Sequence, residues 1–455
     1  MRRLNFLALF ALGITASGHG QMWEKLVVPG LSYRCEIDNS SNRQVHILRF
    51  SPGSNGLVMR PEVAGGKVYA LPADKGRETV TEMVKRTGAI AGINADFFPF
   101  TADPLGAMVR EGEIFSRPDP RRSVMVWGDS STVFTRLNWT ARAVLSADKA
   151  VTINGLNEEC GENQVVLSTS AAAKSLAAAP CIHLVLRVEE GKWTPTGKRE
   201  AAVERVVESE AELAVEPGYA VLTGRGSRVT ELRSLVPGTK VTLDMQTVGV
   251  DWRIYKNVVS GGPNLLTKGK VDISAESEGF KGGFETNRHP RTALGRNARG
   301  DIFLVAVDGR QSMSVGATLE EMANIMFKLG CVDAINLDGG GSTALNIGGL
   351  TLNRPSDGTE RKVANAVLIF AEKRDPSTEQ EFVIEKITQK DNPRRQTLRI
   401  VTSTGKVLRD AEVFWGAQGS AWIDQGGNLT WIQPGVATIS AYVRGKLLTQ
   451  QLELK

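Results

Sequence analysis

The sequence predicts an α+β protein, in which a mixed β-sheet domain with a few packed helices precedes a small all-β sandwich. Two capping boxes predict helices: Thr79 with Glu82 opens one, and Thr318 with Glu321 opens the other. After residue 381 the sequence contains short alternating strands separated by turn residues and no helical pattern. The predicted boundaries are a signal peptide at 1–20, a main domain at 21–371, a linker at 372–381 and a C-terminal β-domain at 382–455.

The N-terminus has the pattern of a secretory signal peptide. Arg2 and Arg3 precede an apolar run at 4–14, which breaks into small residues at 16–18. We expect cleavage near residues 18–21 and a secreted or periplasmic mature protein. The run is short for a membrane span, which makes a retained anchor the less favoured alternative. No later segment predicts a transmembrane helix.

The overall charge argues against nucleic acid as the main partner. The 455 residues have a formal net charge of +5, and the basic residues are scattered along the chain. The four cysteines allow three disulfide pairings, and buried free thiols are a further alternative. Cys160 and Cys181 are close enough in sequence to form one disulfide, and Cys35 with Cys331 would form the other.

The stretch AINLDGGGSTAL at 334–345 is the clearest candidate for a site. Its apolar start predicts a buried strand that ends at Asp338. The glycines 339–341 allow close approach of a ligand or an anion-binding arrangement of backbone N–H groups. Ser342 and Thr343 add two hydroxyls. A tight turn capped by an aspartate is the alternative without a function.

A second acid is predicted at the same edge of the sheet. An apolar strand at 302–307 ends in Asp308, Gly309 and Arg310, a helix follows at 318–329, and the central strand runs over 331–338. This order predicts a βαβ-like unit, in which the two strands are parallel neighbours. Their carboxyl ends would then face the same way. The sequence therefore predicts that Asp308 and Asp338 form a pair.

Further polar residues follow other predicted strands. Asn94 and Asp96 end the strand that begins at 89, and Asn365 interrupts the strand 363–370. Arginines hold phosphate by bidentate, charge-assisted hydrogen bonds, and carboxylates act at a sugar carbon with developing positive charge. Each of these residues alone could also be structural or lie on the surface. The basic candidates are Arg288, His289, Arg291 and Arg310.

Seven motifs in order resemble the phosphodiester glycosidase family, and weaker similarity extends the match over about residues 40–371. One departure is that Ala95 and Asp96 stand where the family often has glycines. The tail, through VFWGAQGSAWID and GNLTWIQPGVATISAYV, resembles bacterial Ig-like modules. The seven motifs are GINADFF (92–98), SGGPNLL (260–266), RHPRTALG (288–295), AVDGRQSMSVGATLEEMA (306–323), AINLDGGGSTAL (334–345), NRPSDG (353–358) and RKVANAVLIF (361–370).

The resemblance implies hydrolysis of the anomeric C–O bond of a sugar-1-phosphodiester, such as an N-acetylglucosamine-1-phosphodiester. Arg291, with Arg288 and His289, would neutralise the departing phosphate, and Asp338 or Asp308 would act toward the anomeric centre. The implied substrate-binding residues are Asn94, Asp96, Arg288, Arg310, Gly339, Gly340, Gly341, Ser342, Thr343 and Asn365. No cofactor is required, although acidic clusters of this kind can also hold Ca²⁺.

The implied partners are a phosphodiester-linked glycan or a sugar nucleotide, with a cell-envelope glycan held by the Ig-like tail. Two alternatives stay open: a metal-dependent phosphodiesterase that cuts P–O bonds, and a glycan-binding protein without turnover. Every candidate site residue precedes residue 372. The tail is therefore expected to be dispensable for the chemistry.

Overall fold

The computed structural model describes residues 20–54, 56–371, 381–387 and 394–454. Nearly all of the predicted signal peptide and most of the predicted linker lie outside these residues. Within them, Gly20 already begins the first strand. No helix in this part of the chain is long and apolar enough to cross a membrane.

The α+β prediction is wrong, because the described chain is mostly β-structure arranged in several sheets. Both predicted capping boxes form, but the helices that they open are short and form no layer of their own. The second of these helices lays Leu319, Met322 and Met326 onto one face of a sheet. The α-helices of the described residues are Val80–Thr87, Arg228–Arg233 and Leu319–Lys328.

An eight-stranded sheet forms one side of the main core. The strand Arg291–Asn297 lies between Ile302–Val307 and Cys331–Asn336 and is antiparallel to both. The two outer strands are therefore parallel, with their carboxyl ends at one edge, but they are not the neighbours that the βαβ prediction required. The order of this sheet is Gly20–Val28, Leu31–Asp38, Arg43–Phe50, Ile302–Val307, Arg291–Asn297, Cys331–Asn336, Asn264–Thr267 and Lys270–Val271.

A five-stranded sheet packs against the first one. A shared apolar cluster joins the two, with Leu304 and Ile335 from the first sheet meeting Ile93 and Val367 from the second. Polar ends of strands from both sheets therefore meet around the end of Cys331–Asn336. The order of the second sheet is Leu350–Thr351, Leu345–Ile347, Ala91–Asn94, Asn365–Ala371 and Leu57–Val63.

The middle of the chain forms a separate β-layer with its own large apolar cluster. An eight-stranded sheet has the order Lys149–Ile153, Asn138–Ser146, Lys240–Val248, Gly197–Glu208, Cys181–Val188, Tyr219–Arg225, Val165–Ser168 and Gly155–Leu156. A five-stranded sheet has the order Glu113–Ser116, Met108–Arg110, Tyr255–Ser260, Val124–Gly128 and Thr132–Thr135. A two-stranded sheet pairs Lys174–Leu176 with Glu212–Ala214.

The C-terminal residues form two small antiparallel sheets around an apolar cluster of their own. We call the residues 381–387 and 394–454 the C-terminal module. One sheet has the order Phe382–Ile387, Arg395–Thr402, Asn428–Trp431 and Ala421–Ile423. The other has the order Val413–Gly419, Gly435–Val443 and Lys446–Leu454.

All four cysteines are free and buried. Cys160 and Cys181 lie in one small apolar cluster, whereas Cys35 and Cys331 belong to two different clusters. Burial raises the pKa of the Cys35, Cys160 and Cys331 thiols to about 12. The fully protonated thiols therefore behave as small core side chains.

Candidate active site

Asn94 fixes the glycine loop that follows Asp338. It is fully buried, and its amide N–H donates to the backbone oxygen of Asp338 at 2.7 Å. Its amide oxygen accepts hydrogen bonds from Thr292 Oγ1 at 2.9 Å and from the N–H of Ala344 at 3.1 Å. Asn94 thereby holds both ends of the loop 338–344, and its amide is occupied by protein.

The three glycines of the loop lie close to neighbouring groups. A Cβ at Gly339 would lie 2.6 Å from the backbone oxygen of Pro290, and one at Gly341 would lie 2.1 Å from the side chains of Arg361 and Asp357. Gly340 has a φ of 60° and lies under the Arg310 guanidinium. The N–H of Gly340 donates to the backbone oxygen of Pro290 at 2.9 Å. The loop therefore serves mainly to bring side chains together.

Asp338 is a partly exposed residue with a strongly desolvated carboxyl group. Burial raises its pKa to about 6, and the nearby Asp96 adds to the rise. The Ser342 hydroxyl, the N–H of Gly339 and the Arg361 guanidinium oppose it. Ser342 Oγ is itself buried and has no partner with full hydrogen-bond geometry in the described structure. A carboxyl with a pKa near 6 can exchange protons at neutral pH.

Asp96 is the second carboxylate of this site. It is 1% exposed, and it accepts hydrogen bonds from Arg122 Nη2 at 2.9 Å, the N–H of Phe97 at 2.8 Å and the N–H of Gly106 at 2.8 Å. Burial raises its pKa, and the charge of Arg122 opposes that rise. Three donors on two carboxylate oxygens favour the ionised form. Asp96 and Asp338 are therefore a carboxylate pair in different environments.

Asp308 lies at the same sheet edge but is bound to another segment. Its carboxylate accepts hydrogen bonds from the N–H of Arg354 at 3.0 and 3.1 Å and from Asn353 Nδ2 at 3.3 Å, and His46 Nε2 lies 3.5 Å away. The residue is 2% exposed. Among the described residues, Asp96 rather than Asp308 is the carboxylate that acts on Asp338.

Two arginines near the glycine loop have no carboxylate within 4.0 Å among the described residues. The buried Arg291 guanidinium donates to the backbone oxygens of Ala317 at 3.0 Å, Phe284 at 2.6 Å and Asn287 at 3.0 Å. Burial, with a contribution from the neighbouring Arg310, lowers its pKa to about 10, so it stays charged at neutral pH. A buried charge without a counterion is costly, so a bound anion would stabilise the buried Arg291 guanidinium.

The exposed Arg310 adopts a left-handed backbone conformation, with a φ of 60°. Its Nη2 lies 3.2 Å from His289 Nδ1, which places the ring nitrogen as acceptor. Burial and the charges of Arg291 and Arg310 lower the pKa of His289. His289 is therefore held neutral between two cations. A backbone strained at a non-glycine residue is typical of functional sites.

The remaining predicted residues lie at the back of the site or outside it. Asn365 Oδ1 accepts the N–H of Asp96 at 2.8 Å, and Thr343 Oγ1 lies 3.3 Å from Thr292 Oγ1. Both are buried, which makes them positioning residues. Arg288 is exposed and forms an ion pair with Glu321 at 2.8 Å, on the helix that begins at Leu319.

Sequence reasoning missed Arg122 and Arg361. Arg361 forms an ion pair with Asp357 at 2.5 Å, and both lie in the motifs that carry the family resemblance. The spacing of four residues between Asp357 and Arg361 could have indicated this ion pair. Arg122 follows a turn, PDPR, that gives no sign of a buried guanidinium. Within the described ranges, no three His, Cys, Asp or Glu side chains converge in a way that could hold a metal ion.

The comparison with family models covers six of the seven motifs and leaves GINADFF (92–98) outside the match. Residues 193–370 match the family model described as phosphodiester glycosidase. A stretch of 112 residues is 37% identical to the bovine N-acetylglucosamine-1-phosphodiester alpha-N-acetylglucosaminidase, covering 23% of this chain and 21% of that protein. The curated relatives that the chain matches are thus covered over about a fifth of their length or less.

Two solved structures share the fold. A protein from Synechocystis superposes with a TM-score of 0.64 at 25% identity, over 76% of this chain and 63% of its own. A protein from Burkholderia pseudomallei superposes with a TM-score of 0.60 at 24% identity, over 72% of this chain and 74% of its own. The β-rich architecture around the site is therefore shared with experimentally determined structures.

Proposed function

We propose that this chain, whose residues 193–370 match the phosphodiester glycosidase family model, hydrolyses the anomeric C–O bond of a sugar-1-phosphodiester. The products are a free sugar and a phosphomonoester. The observation that carries the proposal is the carboxylate pair Asp338 and Asp96 beside a cluster of cations. The similarity to an enzyme named for N-acetylglucosamine-1-phosphodiesters suggests N-acetylglucosamine as the sugar.

The two carboxylates have different roles. Asp338, with a pKa of about 6 and partial exposure, acts toward the anomeric carbon or its attacking water. Asp96 is saturated with hydrogen bonds and buried, so its charge stabilises positive charge that develops on the sugar. Asp96 also raises the pKa of Asp338, which brings that group close to neutral pH. Asp308 acts as an anchor for the segment at 353–354.

In this proposal, arginine side chains form the phosphate-binding site. Arg310 is exposed above the glycine loop, and Arg291 supplies a buried positive charge behind it. Arg361 lies against Gly341 of the loop, and its charge lowers the pKa of Asp338. A departing phosphomonoester needs charge neutralisation more than protonation, which suits arginines and a neutral His289. The amides of the loop contribute less than the sequence suggested, because Gly340, Ser342 and Thr343 donate to protein oxygens.

Export of the mature protein is also part of the proposal. It rests on the charged, apolar and small-residue pattern at 2–18. Intact-mass analysis of the secreted protein should give a mature start between residues 19 and 22. A mature chain that begins at Met1 would contradict export with cleavage.

The decisive experiment identifies the bond that breaks. UDP-N-acetylglucosamine is incubated with the protein in ¹⁸O-labelled water, and both products are analysed by mass spectrometry. Anomeric cleavage gives UDP and a sugar with the label on its C1 hydroxyl. Cleavage of the pyrophosphate gives sugar-1-phosphate and UMP with the label in phosphate, which would favour a phosphodiesterase. Saturable binding without turnover would favour a glycan-binding protein.

A further inference from the structure

The C-terminal module is joined to the main domain by buried polar contacts. Lys25, in the first strand of the main domain, is 3% exposed, and its ammonium donates to the backbone oxygens of Val413 and Gln425. The Trp422 indole N–H donates to Gln44 Oε1 at 2.9 Å. Buried donors of this kind lose their partners if the two parts separate, so they favour one fixed arrangement.

The apolar contacts between the two parts are equally close. Phe414 belongs to the main-domain cluster and packs on Tyr33, with ring centroids 5.9 Å apart. Gly416 lies directly against the main-domain strand Leu350–Thr351. A Cβ at Gly416 would lie 2.7 Å from the backbone oxygen of Thr351. The strand Val413–Gly419 therefore packs against the start of the segment 350–354.

The segment 350–354 leads into the loop 353–361, and this loop ends at Arg361. The N–H of Arg354 is bound to Asp308, and its backbone oxygen accepts Gln311 Nε2 at 2.7 Å. Its side chain crosses to the C-terminal module, where Nη2 donates to the backbone oxygen of Gly419 at 2.8 Å. Arg354 thus connects the module to Asp308 and Gln311, which bind the start of the loop, whereas Thr81 binds Glu360 near its end.

We propose that the C-terminal module is part of the catalytic apparatus: through Arg354 and the contact at Gly416 it positions the loop 353–361, which holds Arg361 beside Asp338. Arg354 is a positioning residue. The catalytic consequence rests on the proposed glycosidase function, whereas the positioning itself does not.

The positioning is tested without activity by hydrogen exchange. Arg354→Ala removes the side-chain hydrogen bond to the backbone oxygen of Gly419. Gly416→Ala places a methyl group against the backbone oxygen of Thr351 and so separates the module from that strand, at a backbone angle that alanine can adopt. Peptides from 353–361 should exchange faster in both variants than in the wild type. Arg399→Ala, which removes an ion pair with Glu385 inside the module, is the matched control and should leave this loop unchanged. Unchanged exchange in both test variants would overturn the proposal.

The consequence is tested by the pH dependence of kcat/KM on the diester. Asp338 is faced by Arg361, by Asp96 with its partner Arg122, by Ser342 and by the N–H of Gly339. Displacing Arg361 removes a positive charge, so the acidic limb should move to higher pH in Arg354→Ala, and kcat/KM should fall about fivefold. Arg354→Lys, which can still donate to Gly419, should restore both.

A merely structural effect would lower the active fraction equally at every pH and would leave the limb in place. That outcome, with unchanged exchange in 353–361, contradicts the role of the module. If the wild-type protein does not cleave the diester at all, the proposed function fails, while the exchange comparison still decides whether the module positions the loop.

Discussion

The pKa of the Asp338 carboxyl group is set by effects that act in opposite directions. Burial and Asp96 raise its pKa to about 6, and Arg361 with two hydrogen-bond donors limits the rise. Asp338→Asn keeps the size of the side chain and removes the charge. We expect the rate of diester hydrolysis to fall by about 10²–10⁴-fold with an unchanged circular dichroism spectrum. Residual activity that follows the folded fraction would instead make Asp338 structural.

The same residue gives a pH dependence of stability. Its folded pKa of about 6 exceeds the ordinary value of 3.8, so the folded state binds a proton more tightly than the unfolded state. This contribution to stability is fully present below pH 3.8 and is lost as the pH rises through 6. We expect the free energy of unfolding of Asp338→Asn, relative to that of the wild type, to rise by on the order of 2 kcal/mol between pH 4 and pH 7. Thermal unfolding at several pH values measures this difference. A constant difference across that range would contradict the raised pKa.

Arg310 and Arg288 differ in their partners and form a natural comparison. Arg310 has no carboxylate partner among the described residues, whereas Arg288 is exposed and paired with Glu321. Arg310→Ala should reduce kcat/KM by about tenfold to a hundredfold, because a charge-assisted hydrogen bond contributes about 1.5–3 kcal/mol. Arg288→Ala should change it less than about twofold. Equal losses of kcat/KM in steady-state assays would mean that Arg288 contributes as much as Arg310, which would contradict this assignment of the phosphate site.

The sequence placed Asp338 and Asp96 among the candidate residues, but it paired Asp338 with Asp308 instead of Asp96. Asp338 follows a recognisable strand and glycine loop, so its place at the sheet edge was predictable. The intervening strand Arg291–Asn297 separates the ends that carry Asp308 and Asp338 by two strand spacings, about 10 Å. Strand order in an antiparallel sheet depends on long-range pairing, which one sequence does not reveal. For the same reason Arg122, which pairs with Asp96, gave no signal.

At the scale of elements, the glycine loop and the loop 353–361 fit together at Gly341. The atoms nearest to a Cβ there are the ends of the flexible Arg361 and Asp357 side chains. Gly341→Ala should therefore leave the thermal stability nearly unchanged while displacing Arg361, and kcat/KM should fall by about tenfold or more. Differential scanning calorimetry and steady-state kinetics on the same preparation separate the two effects. A large loss of stability would show that the loop cannot accommodate the methyl group.

The helices illustrate what local patterns can and cannot predict. Both capping boxes formed because they depend on residues three positions apart: Thr79 with Glu82, and Thr318 with Glu321. The fold class was wrong because it depends on how many strands surround these helices. Arg43–Phe50 pairs with Ile302–Val307, and Leu57–Val63 pairs with Asn365–Ala371. These partners lie far apart in the sequence, so the sheets are defined by tertiary contacts.

At the scale of the whole molecule, the contacts of the C-terminal module lead us to predict, against the expectation from the sequence, that it is not dispensable. Removing residues after 371 would expose Tyr33 and leave the Lys25 ammonium without its two carbonyl partners. Each large apolar side chain uncovered costs on the order of 2 kcal/mol. We expect the truncated protein to unfold at least about 5 °C below the full chain in a thermal melt, with reduced turnover.

The full-length variant Trp422→Phe is the control for this truncation, because it removes only the indole hydrogen bond to Gln44 and keeps the ring. It should lose about 1 kcal/mol of stability at most and keep the module in place. The truncated protein should also bind a dye for exposed apolar surface, whereas Trp422→Phe should not. A truncated protein that melts with the full chain and keeps its turnover would show that the module is an appendage. In that case main-domain contacts, such as those of Asp308 and Gln311 with Arg354 and of Thr81 with Glu360, would be sufficient to hold the loop 353–361.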